Sequence, residues 1–349
     1  RLSLDKGWRF ALGHAADPSR DFGYASSREL AKAGWAEGAA AADFDDSAWR
    51  PVDVPHDWAI ELPLDPSGSR DCVKHGYHAL GPEHPEHSIG WYRRAFLIPA
   101  EDLGRRISVE FDGVFRDSIT WLNGHYLGRH MSGYIGHAYD LSDCLNYGGN
   151  NVLVCRVDAT RAEGWFYEGA GIYRHVWMEN TAPLHVARWG ACVRAEWDGA
   201  RAARLEIRTR VENDQDAASA FSLESVIEDP DGRPAAAAQA VGEALPPWEC
   251  REMVQAVELA AVQPWSLETP RLYRLRTLIR DRGGAVTDQR ETLFGIRSVR
   301  WDPDRGLLLN GRPVRIRGAC CHQDHAAVGT ALPDRLQEHR VRLLKEMGC

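Results

Sequence analysis

The pattern of apolar and polar positions along the first 300 residues predicts β-strands. At residues 205–211, apolar side chains and one threonine alternate with charged ones, as in a strand with one buried and one wet face. Residues 151–157 are apolar at nearly every position, as in a strand buried on both faces. Short segments of this kind recur between turn signals, and none has convincing helical periodicity. The chain is therefore expected to be mainly β.

Three regions of the pattern predict three domains. Residues 1–183 hold many short strands separated by turn signals, which is typical of a jelly-roll β-sandwich. Residues 184–300 hold about seven short strands, which suits an immunoglobulin-like β-sandwich. From residue 301 the pattern changes to strand, loop and helix, with a strand at residues 314–317 and a helix at 334–347. This last part is predicted to be the first βα unit of a truncated (β/α)8 barrel.

Two Asn-Gly pairs predict tight hairpins. Asn123-Gly124 and Asn310-Gly311 each lie between short arms of apolar residues. Both central residues of such a turn need a positive φ, which asparagine and glycine tolerate best. We therefore expect each pair to join two antiparallel strands.

The last helix carries an apolar stripe that one βα unit cannot bury. A Pro-Asp pair at 333–334 marks its start. The residues on the shared face are Leu336, Leu343, Leu344 and Met347. A (β/α)8 barrel needs about 250 residues, and only 49 follow residue 300. We expect a fragment of a longer protein, with this stripe exposed.

Composition excludes several functional classes. The chain has 349 residues, 44% of them apolar and 26% charged, which argues against disorder. Its net charge is 42 minus 50, or −8, which disfavours nucleic acid and anionic membranes as partners. No apolar run approaches the roughly 20 residues that a membrane-spanning helix needs. Neither a nucleic-acid nor a membrane partner is expected.

Most cysteines and aromatic residues are expected to have structural roles. The eight cysteines include no Cys-x-x-Cys pair, which argues against a zinc ribbon. Cys320 and Cys321 are expected to be small buried residues rather than a redox pair. The 13 tryptophans and 10 tyrosines are expected to fill sandwich cores, with sugar-stacking platforms as the alternative.

Four histidines precede the first long strand, at His75, His78, His84 and His87. Their spacing is irregular, prolines interrupt them, and no cysteine joins them. This favours a solvated loop over a metal site, and no metal ligand is predicted.

Ten short motifs carry a resemblance to a known family. They are residues 55–58 (PHDW), 90–94 (GWYRR), 111–115 (FDGVF), 121–124 (WLNG), 164–174 (GWFYEGAGIYR), 267–273 (LETPRLY), 294–297 (FGIR), 309–311 (LNG), 318–325 (GACCHQDH) and 344–349 (LKEMGC). Each alone is weak, but together and in this order they are specific. The chain resembles the N-terminal part of glycoside hydrolase family 2, the β-galactosidase group.

The resemblance implies a sugar-binding jelly roll, an immunoglobulin-like domain and a catalytic barrel. The family uses two glutamates in retaining hydrolysis, one as acid/base and one as nucleophile. Both are expected beyond Cys349, so no residue of this chain is expected to be catalytic and the chain alone should be inactive. The expected function is hydrolysis of terminal β-galactosides by the full-length enzyme. The alternatives are a non-catalytic carbohydrate-binding protein, or a β-glucuronidase or β-mannosidase of the same family.

The resemblance also implies substrate contacts after the first barrel strand. His322 stands where the family has a histidine that lines the sugar site, and a neutral imidazole can both donate to and accept from a hydroxyl. Relatives often read Arg-His-Glu-His-His where this chain reads Cys-His-Gln-Asp-His at 321–325. Asp324 and His325 are the flanking candidates, and this departure puts their roles in question.

Three further candidates come from the jelly roll. The family's loop at 164–174 reaches toward the barrel mouth with a carboxylate that binds sugar hydroxyls or sodium. Trp165 occupies that carboxylate's position here, and the nearest acid is Glu168. The alternative role of Glu168 is a salt bridge to Arg174 or another arginine. His87 lies in a loop that reaches the site in relatives. Asp57 is a candidate too, although an aspartate there can simply cap a turn.

No cofactor is expected in this fragment, whereas the resemblance implies Na⁺ or Mg²⁺ in the full-length enzyme. The expected partners are a carbohydrate substrate and the remainder of the barrel, and homo-oligomerisation stays open. No signal peptide is visible and the chain begins at Arg1. The compartment therefore stays open between the cytoplasm and the periplasm or exterior of a bacterial cell.

Overall fold

The structure, a computed structural model, describes residues 1–24, 30, 32–65, 77–164 and 166–349. The chain divides into two compact units, Arg1–Asn180 with Gly318–Cys349, and Thr181–Arg317. The described residues form twenty strands, five short 3-10 helices and one α-helix. The mainly β class predicted from the sequence is confirmed.

Ten strands precede residue 182. They are β1 (Leu2–Ser3), β2 (Trp8–Leu12), β3 (Arg50–Val52), β4 (Ile89–Leu97), β5 (Arg106–Phe111), β6 (Ser118–Leu122), β7 (His125–His130), β8 (His137–Asp140), β9 (Asn150–Asp158) and β10 (Val176–Thr181). The 3-10 helices are Pro18–Arg20, Gly38–Ala40, Ala59–Glu61, Ala100–Asp102 and Ser142–Cys144. One sheet has the order β3-β2-β4-β9-β6-β7 and the other β1-β10-β5-β8.

The core between the two sheets of the first unit is one apolar cluster to which both sheets contribute. Trp8 and Tyr92 come from the six-stranded sheet, and Phe111 and Val176 from the four-stranded one, all almost fully buried. The opposite face of the six-stranded sheet is also covered, where Trp91 and Trp121 stack under the segment at 36–49. Strand β9, which lies between the strands of Trp91 and Trp121, is buried on both faces, as its mostly apolar sequence predicts.

The second unit holds the other ten strands. They are β11 (Leu184–Glu196), β12 (Ala203–Asn213), β13 (Ser219–Glu228), β14 (Pro234–Leu245), β15 (Glu249–Leu259), β16 (Tyr273–Arg280), β17 (Val286–Phe294), β18 (Val299–Asp302), β19 (Gly306–Leu309) and β20 (Arg312–Pro313). Their sheets have the orders β11-β12-β15, β14-β13-β16-β17 and β18-β19-β20. The alternation in β12 buries every second side chain, from Ala203 to Asn213.

Both Asn-Gly pairs form the predicted hairpin turns. Asn123 and Gly124 have φ of 51° and 80° between β6 and β7. Asn310 and Gly311 have φ of 52° and 77° between β19 and β20. These are the left-handed conformations that the turn requires.

The strand predicted at 314–317 is absent, because β20 ends at Pro313 and the described chain that follows pairs with no strand up to residue 320. A strand exists only through hydrogen bonds to a neighbour, and apart from the bond from Val314 N to Leu307 O this segment makes no ladder. Cys320 and Cys321 are exposed, so the expectation that they are buried is wrong. Residues 315–322 are all exposed and belong to no strand or helix, so the two thiols lie at the surface.

The predicted helix is present as α1 (Asp334–Glu346), with Pro333 at its N-cap. Its stripe is partly open, since Leu343 and Met347 are exposed while Leu336 and Leu344 are half-buried. None of the helices in the described ranges is long and apolar enough to cross a membrane.

Candidate functional site

Asp57 joins three segments of the first unit that are far apart in sequence. Its Oδ1 accepts hydrogen bonds from the backbone N–H groups of Ala59 (3.0 Å) and Ala170 (2.9 Å). Its Oδ2 accepts from the Tyr167 hydroxyl (2.8 Å) and from the backbone N–H (2.8 Å) and hydroxyl (3.0 Å) of Thr330. Only 2% of Asp57 is exposed. The carboxylate therefore links the Pro-His-Asp-Trp segment, the jelly-roll loop and the segment after residue 318.

Two glycines make room for this carboxylate. Gly169 and Gly329 have φ of +71° and +59°. A Cβ at Gly169 would lie 2.5 Å from Asp57 Oδ2, and one at Gly329 would lie 2.2 Å from the same atom. Any larger residue would have to displace the carboxylate or the backbone around it.

Backbone hydrogen bonds at Ala170 and Gly171 also fix the jelly-roll loop. The N–H of Trp58 donates to the Ala170 carbonyl, and the N–H groups of Gly171 and Phe115 donate to each other's carbonyl oxygen. These bonds hold residues 170–172 against the core, so the residues before them project from a rigid base.

Glu168 lies inside this loop and is 1% exposed. Its Oε1 accepts from the hydroxyl of Tyr134 (2.9 Å) and from the backbone N–H groups of Glu163 (3.0 Å) and Gly164 (2.8 Å). Burial raises the pKa of Glu168, and these donors partly offset the rise. Burial and the Glu168 charge together raise the pKa of Tyr134, which stays a hydrogen-bond donor at neutral pH. The Glu168 carboxylate thus binds backbone groups of its own loop and holds the loop in place. Arg174, the arginine considered as its salt-bridge partner, packs over the ring of Tyr173.

His322 lies against the same loop. Its ring meets that of Phe166 edge to face, with centroids 5.1 Å apart and an interplanar angle of 89°. Its backbone carbonyl accepts from the guanidinium of Arg340 on α1 at 2.8 Å. The imidazole is exposed and Phe166 is half-buried, so one polar and one apolar ring border the same surface.

Asp324 is half-buried and its charge acts on Tyr167, whose pKa is raised mainly by burial and then by Asp57. His325 is exposed, and its Nδ1 lies 2.9 Å from the Ala326 carbonyl. The backbone of His325 also exchanges two hydrogen bonds with Gly329, which closes a tight turn just before Thr330. In the segment 322–330, His322 and Asp324 therefore lie just before a turn that Thr330 attaches to Asp57.

His87 borders this region through its loop. Its carbonyl accepts from the indole of Trp58 at 2.8 Å, and its Nδ1 lies 3.0 Å from the Ala79 carbonyl. In the same loop the His78 ring packs edge to face on Tyr167, 5.8 Å between centroids. The six candidate residues thus all lie in the first unit. Asp57 and Glu168 are buried, whereas His322, Asp324, His325 and His87 are at least partly accessible.

One trio of side chains in the described part of the chain, His84, Glu86 and His87, could hold a metal ion, with its ligand atoms within 4.8 Å of one another. Glu86 Oε1 lies 3.9 Å from His84 Nδ1 and 3.8 Å from His87 Nδ1. Two imidazoles and a carboxylate suit Zn²⁺, but His87 Nδ1 already faces the Ala79 carbonyl. His75 of the sequence-derived histidine group lies outside the described residues, as does Trp165.

Sequence reasoning missed Phe166, Tyr167 and Thr330. Phe166 and Tyr167 lie in the motif at 164–174, where their aromatic rings could have indicated that they line the sugar subsite. Thr330 follows a Gly in a loop without any motif, and its partner Asp57 is 273 residues away. The residues next to Thr330 in the sequence do not indicate its contact with Asp57.

Two family models match the chain. The sugar-binding domain of glycosyl hydrolases family 2 matches residues 2–182, and a second model of glycosyl hydrolases family 2 matches residues 185–297. The chain belongs to glycosyl hydrolases family 2.

Curated members of family 2 are similar over most of this chain. A β-galactosidase of Bacteroides ovatus, BoGH2A, is 37% identical over 317 residues, which cover 89% of this chain and 36% of the relative. A β-glucuronidase of Formosa agariphila is 25% identical over 329 residues, covering 88% of this chain and 33% of the relative. The chain spans about a third of the length of these relatives.

Solved structures of the family share the fold. A family 2 member from Bacteroides cellulosilyticus matches with a TM-score of 0.84 and 28% identity, over 99% of this chain and 42% of that one. A β-glucuronidase from Bacteroides uniformis matches with a TM-score of 0.81 and 26% identity, over 100% of this chain and 38% of that one. The resemblance seen in the sequence motifs is thereby confirmed.

Proposed function

We propose that this chain is the N-terminal part of a retaining exo-β-galactosidase and that its first unit shapes the subsite for the terminal sugar. The observation that carries the proposal is the meeting of the jelly-roll loop with the segment after residue 318, where the rings of Phe166 and His322 touch. The 37% identity to a β-galactosidase favours galactosides over other substrates of the family. The remainder of the catalytic barrel and a carbohydrate substrate are the partners this proposal requires.

The side chains that are at least partly accessible at this place have the chemistry that a sugar subsite needs. An imidazole such as that of His322 can, in its neutral form, donate to one hydroxyl and accept from another, and the Asp324 carboxylate can accept from hydroxyl groups. The Phe166 ring offers an apolar surface to the C–H face of a pyranose. We assign direct sugar contacts to His322 and Asp324. We propose that Glu168 and His87 support the loops around the subsite through hydrogen bonds within those loops.

The reaction itself needs two carboxyl groups about 5–5.5 Å apart, one as acid/base and one as nucleophile. Asp57 and Glu168 are buried and already accept several protein hydrogen bonds, so neither is proposed for these roles. We propose that both catalytic glutamates belong to the rest of the barrel. Residues 1–349 alone should then hydrolyse no aryl β-galactoside, and measurable turnover would contradict this.

Metal binding is not among the roles proposed for the residues of this loop. The resemblance implies Na⁺ or Mg²⁺ in the full-length enzyme, and a hard cation needs oxygen lone pairs that are free to coordinate it. Glu168 Oε1 instead faces two N–H groups and one O–H group, and its Oε2 faces the Glu163 N–H at 3.0 Å. The carboxylate nearest the position expected for a cation ligand therefore does not suit such an ion.

Substrate specificity is tested on the full-length enzyme with aryl β-galactoside, β-glucuronide and β-mannoside, and with aryl α-galactoside as the control. We expect kcat/KM for the β-galactoside to exceed the others by about a hundredfold or more, because a site built to bind particular hydroxyls rejects other sugars strongly. A β-glucuronidase is the second candidate, since relatives named β-glucuronidase also match the chain. Preference for the glucuronide would replace the first proposal with the second.

Binding without hydrolysis would identify a third class, the carbohydrate-binding protein. It predicts that galactose binds to the full-length protein while no aryl glycoside is turned over. Calorimetric titration with galactose beside the kinetic assay separates the classes. Turnover with retention of the anomeric configuration, followed by NMR, would support the retaining glycosidase.

A further inference from the structure

We infer that Asp57 is a positioning residue, which fixes the jelly-roll loop to the segment at 322–330 and so sets the geometry of the sugar subsite, without touching the sugar. The inference rests on the proposed function and deepens it. It replaces the substrate contact that the sequence suggested for Asp57 with a role through its neighbours.

The first reason is that the carboxylate has no capacity left for a ligand. A carboxylate offers about four lone-pair positions, and Asp57 already accepts five hydrogen bonds. Three are from backbone N–H groups and two are from hydroxyls. At 2% exposure it is also shielded from a sugar on the surface.

The second reason is that the surrounding backbone is built to fit it. Gly169 and Gly329 approach Oδ2 from two different loops, each with a positive φ, at places where a Cβ would lie within 2.5 Å of that atom. Close approach of this kind needs glycine in both loops. The carboxylate thus sits between two chain segments that pack onto it directly.

The third reason is that two of the anchored residues, Tyr167 and Thr330, belong to the segments that carry the proposed site residues. Tyr167 lies between Phe166 and Glu168 in the chain. Thr330 follows Gly329, whose backbone pairs with His325, and the turn between them comes directly after Asp324 in the chain. A shift of either anchor would therefore change the spacing between Phe166 and His322.

Replacing Asp57 with asparagine should loosen this arrangement. Asparagine keeps one acceptor oxygen but puts an N–H₂ group where the other oxygen stood, opposite N–H or O–H donors. Donors buried without a partner are costly, so the loops should relax away from the new amide. A misplacement of about 1 Å at a distance from the chemistry can cost on the order of a hundredfold in rate.

The test uses the full-length enzyme and four variants: Asp57→Asn, Thr330→Val, Thr330→Ser and, as a matched control, Asp45→Asn. Asp45 caps an exposed turn through the Ser47 N–H, a role that asparagine also fills. We expect Asp57→Asn to lower kcat/KM by about a hundredfold and to weaken galactose inhibition. Thr330→Val should fall between it and the wild type, and Thr330→Ser, which keeps the hydroxyl, should restore activity.

A second readout separates positioning from loss of fold and from failure of the proposed function. Hydrogen exchange at the Ala170 and Thr330 amides, both donors to Asp57, should speed up in Asp57→Asn while amides of strand β9 stay protected. This measurement needs no substrate, so it holds even if the wild-type protein hydrolyses none of the tested glycosides. If Asp57→Asn does not fold, Thr330→Val and Tyr167→Phe supply the same comparison.

Unchanged kinetics together with unchanged exchange at these two amides would overturn the inference. So would a Thr330→Ser variant as impaired as Thr330→Val, because the hydroxyl would then not be what matters. Faster exchange with wild-type kcat/KM would also overturn it, since the anchor would then be structural only.

Discussion

The carboxylate of Asp57 accepts a hydrogen bond of 2.8 Å from the backbone N–H of Thr330, across 273 residues of sequence. Both groups are almost fully buried. This contact belongs to the first unit and attaches the segment after residue 318 to the jelly roll. It brings His322 beside the loop that holds Phe166, where we propose that the terminal sugar binds.

A Cβ at Gly329 should disrupt this attachment. Gly329→Ala would place its Cβ 2.2 Å from Asp57 Oδ2 and 2.8 Å from the Tyr167 hydroxyl, on a backbone with positive φ. Strain from the left-handed conformation costs about 1–2 kcal/mol, and overpacking adds typically about 1–3 kcal/mol. We expect the free energy of unfolding in urea to fall by the sum of the two.

Gly7→Ala is the matched control for that measurement. Gly7 also has a positive φ, +80°, but a Cβ there meets nothing within 4 Å. It should show the conformational cost of about 1–2 kcal/mol alone. Equal losses in the two variants would mean that the carboxylate moves aside freely, which would contradict the close fit of the two loops around it.

The stability of the first unit should depend on pH through His175. Its Nδ1 lies 2.8 Å from Asp5 and its Nε2 lies 3.1 Å from Asp334, the first residue of α1. Burial opposes protonation of His175, but the two carboxylates outweigh it and raise the pKa. The stabilising contribution is therefore complete below the unfolded-state pKa of about 6.5 and is lost as the pH rises through the folded-state pKa.

Urea unfolding of the wild type and of His175→Gln at about pH 5.5 and pH 8.5, on either side of this range, measures the effect. The difference between the two proteins should be larger at the lower pH. A difference that is the same at both values, or larger at the higher pH, would refute the assigned direction.

His137 should make the same unit sensitive to acid. Burial, followed by the neighbouring His130, lowers the pKa of His137 to about 3. Its ring stacks between Phe111 and His130, with centroids 5.2 Å and 4.1 Å away. Between the unfolded-state pKa of about 6.5 and that lower value, the unfolded state binds a proton that the native state does not, so stability falls as the pH falls.

His137→Phe keeps an aromatic ring in the stack and removes the titration. Its free energy of unfolding should decline less than that of the wild type between about pH 6.5 and pH 4.5. His185→Phe, in the second unit, serves as the comparison because it removes a histidine that lies outside this stack. If His137→Phe loses stability on acidification as steeply as the wild type, then His137 is not the group responsible.

Much of the fold could be predicted from the sequence because its signals are local. Alternation in β12, the mostly apolar sequence of β9 and the two Asn-Gly turns each depend on a few adjacent residues. The helix α1 was likewise marked by its Pro-Asp start and its apolar spacing. The strand expected at 314–317 failed because a strand also needs a neighbour, which local pattern does not reveal.

The site was less predictable because its contacts join distant segments. The family resemblance named residues such as Asp57 and Glu168, but not their partners. An arginine was the expected alternative partner for Glu168, whereas its carboxylate accepts from two backbone N–H groups and Tyr134. Every residue except proline has a backbone N–H, so the residue type does not show which N–H groups of Glu163, Gly164 or Thr330 will donate to a distant carboxylate.

We propose a direct contact between His322 and the terminal sugar. Its most direct test is kcat/KM for an aryl β-galactoside with the full-length enzyme, comparing the wild type, His322→Ala and the control His339→Ala, an exposed histidine on α1. Loss of one sugar hydrogen bond costs about 1–3 kcal/mol, so His322→Ala should lower kcat/KM roughly tenfold to a hundredfold while His339→Ala leaves it unchanged. A His322→Ala enzyme with the kcat/KM of the wild type would contradict the claim.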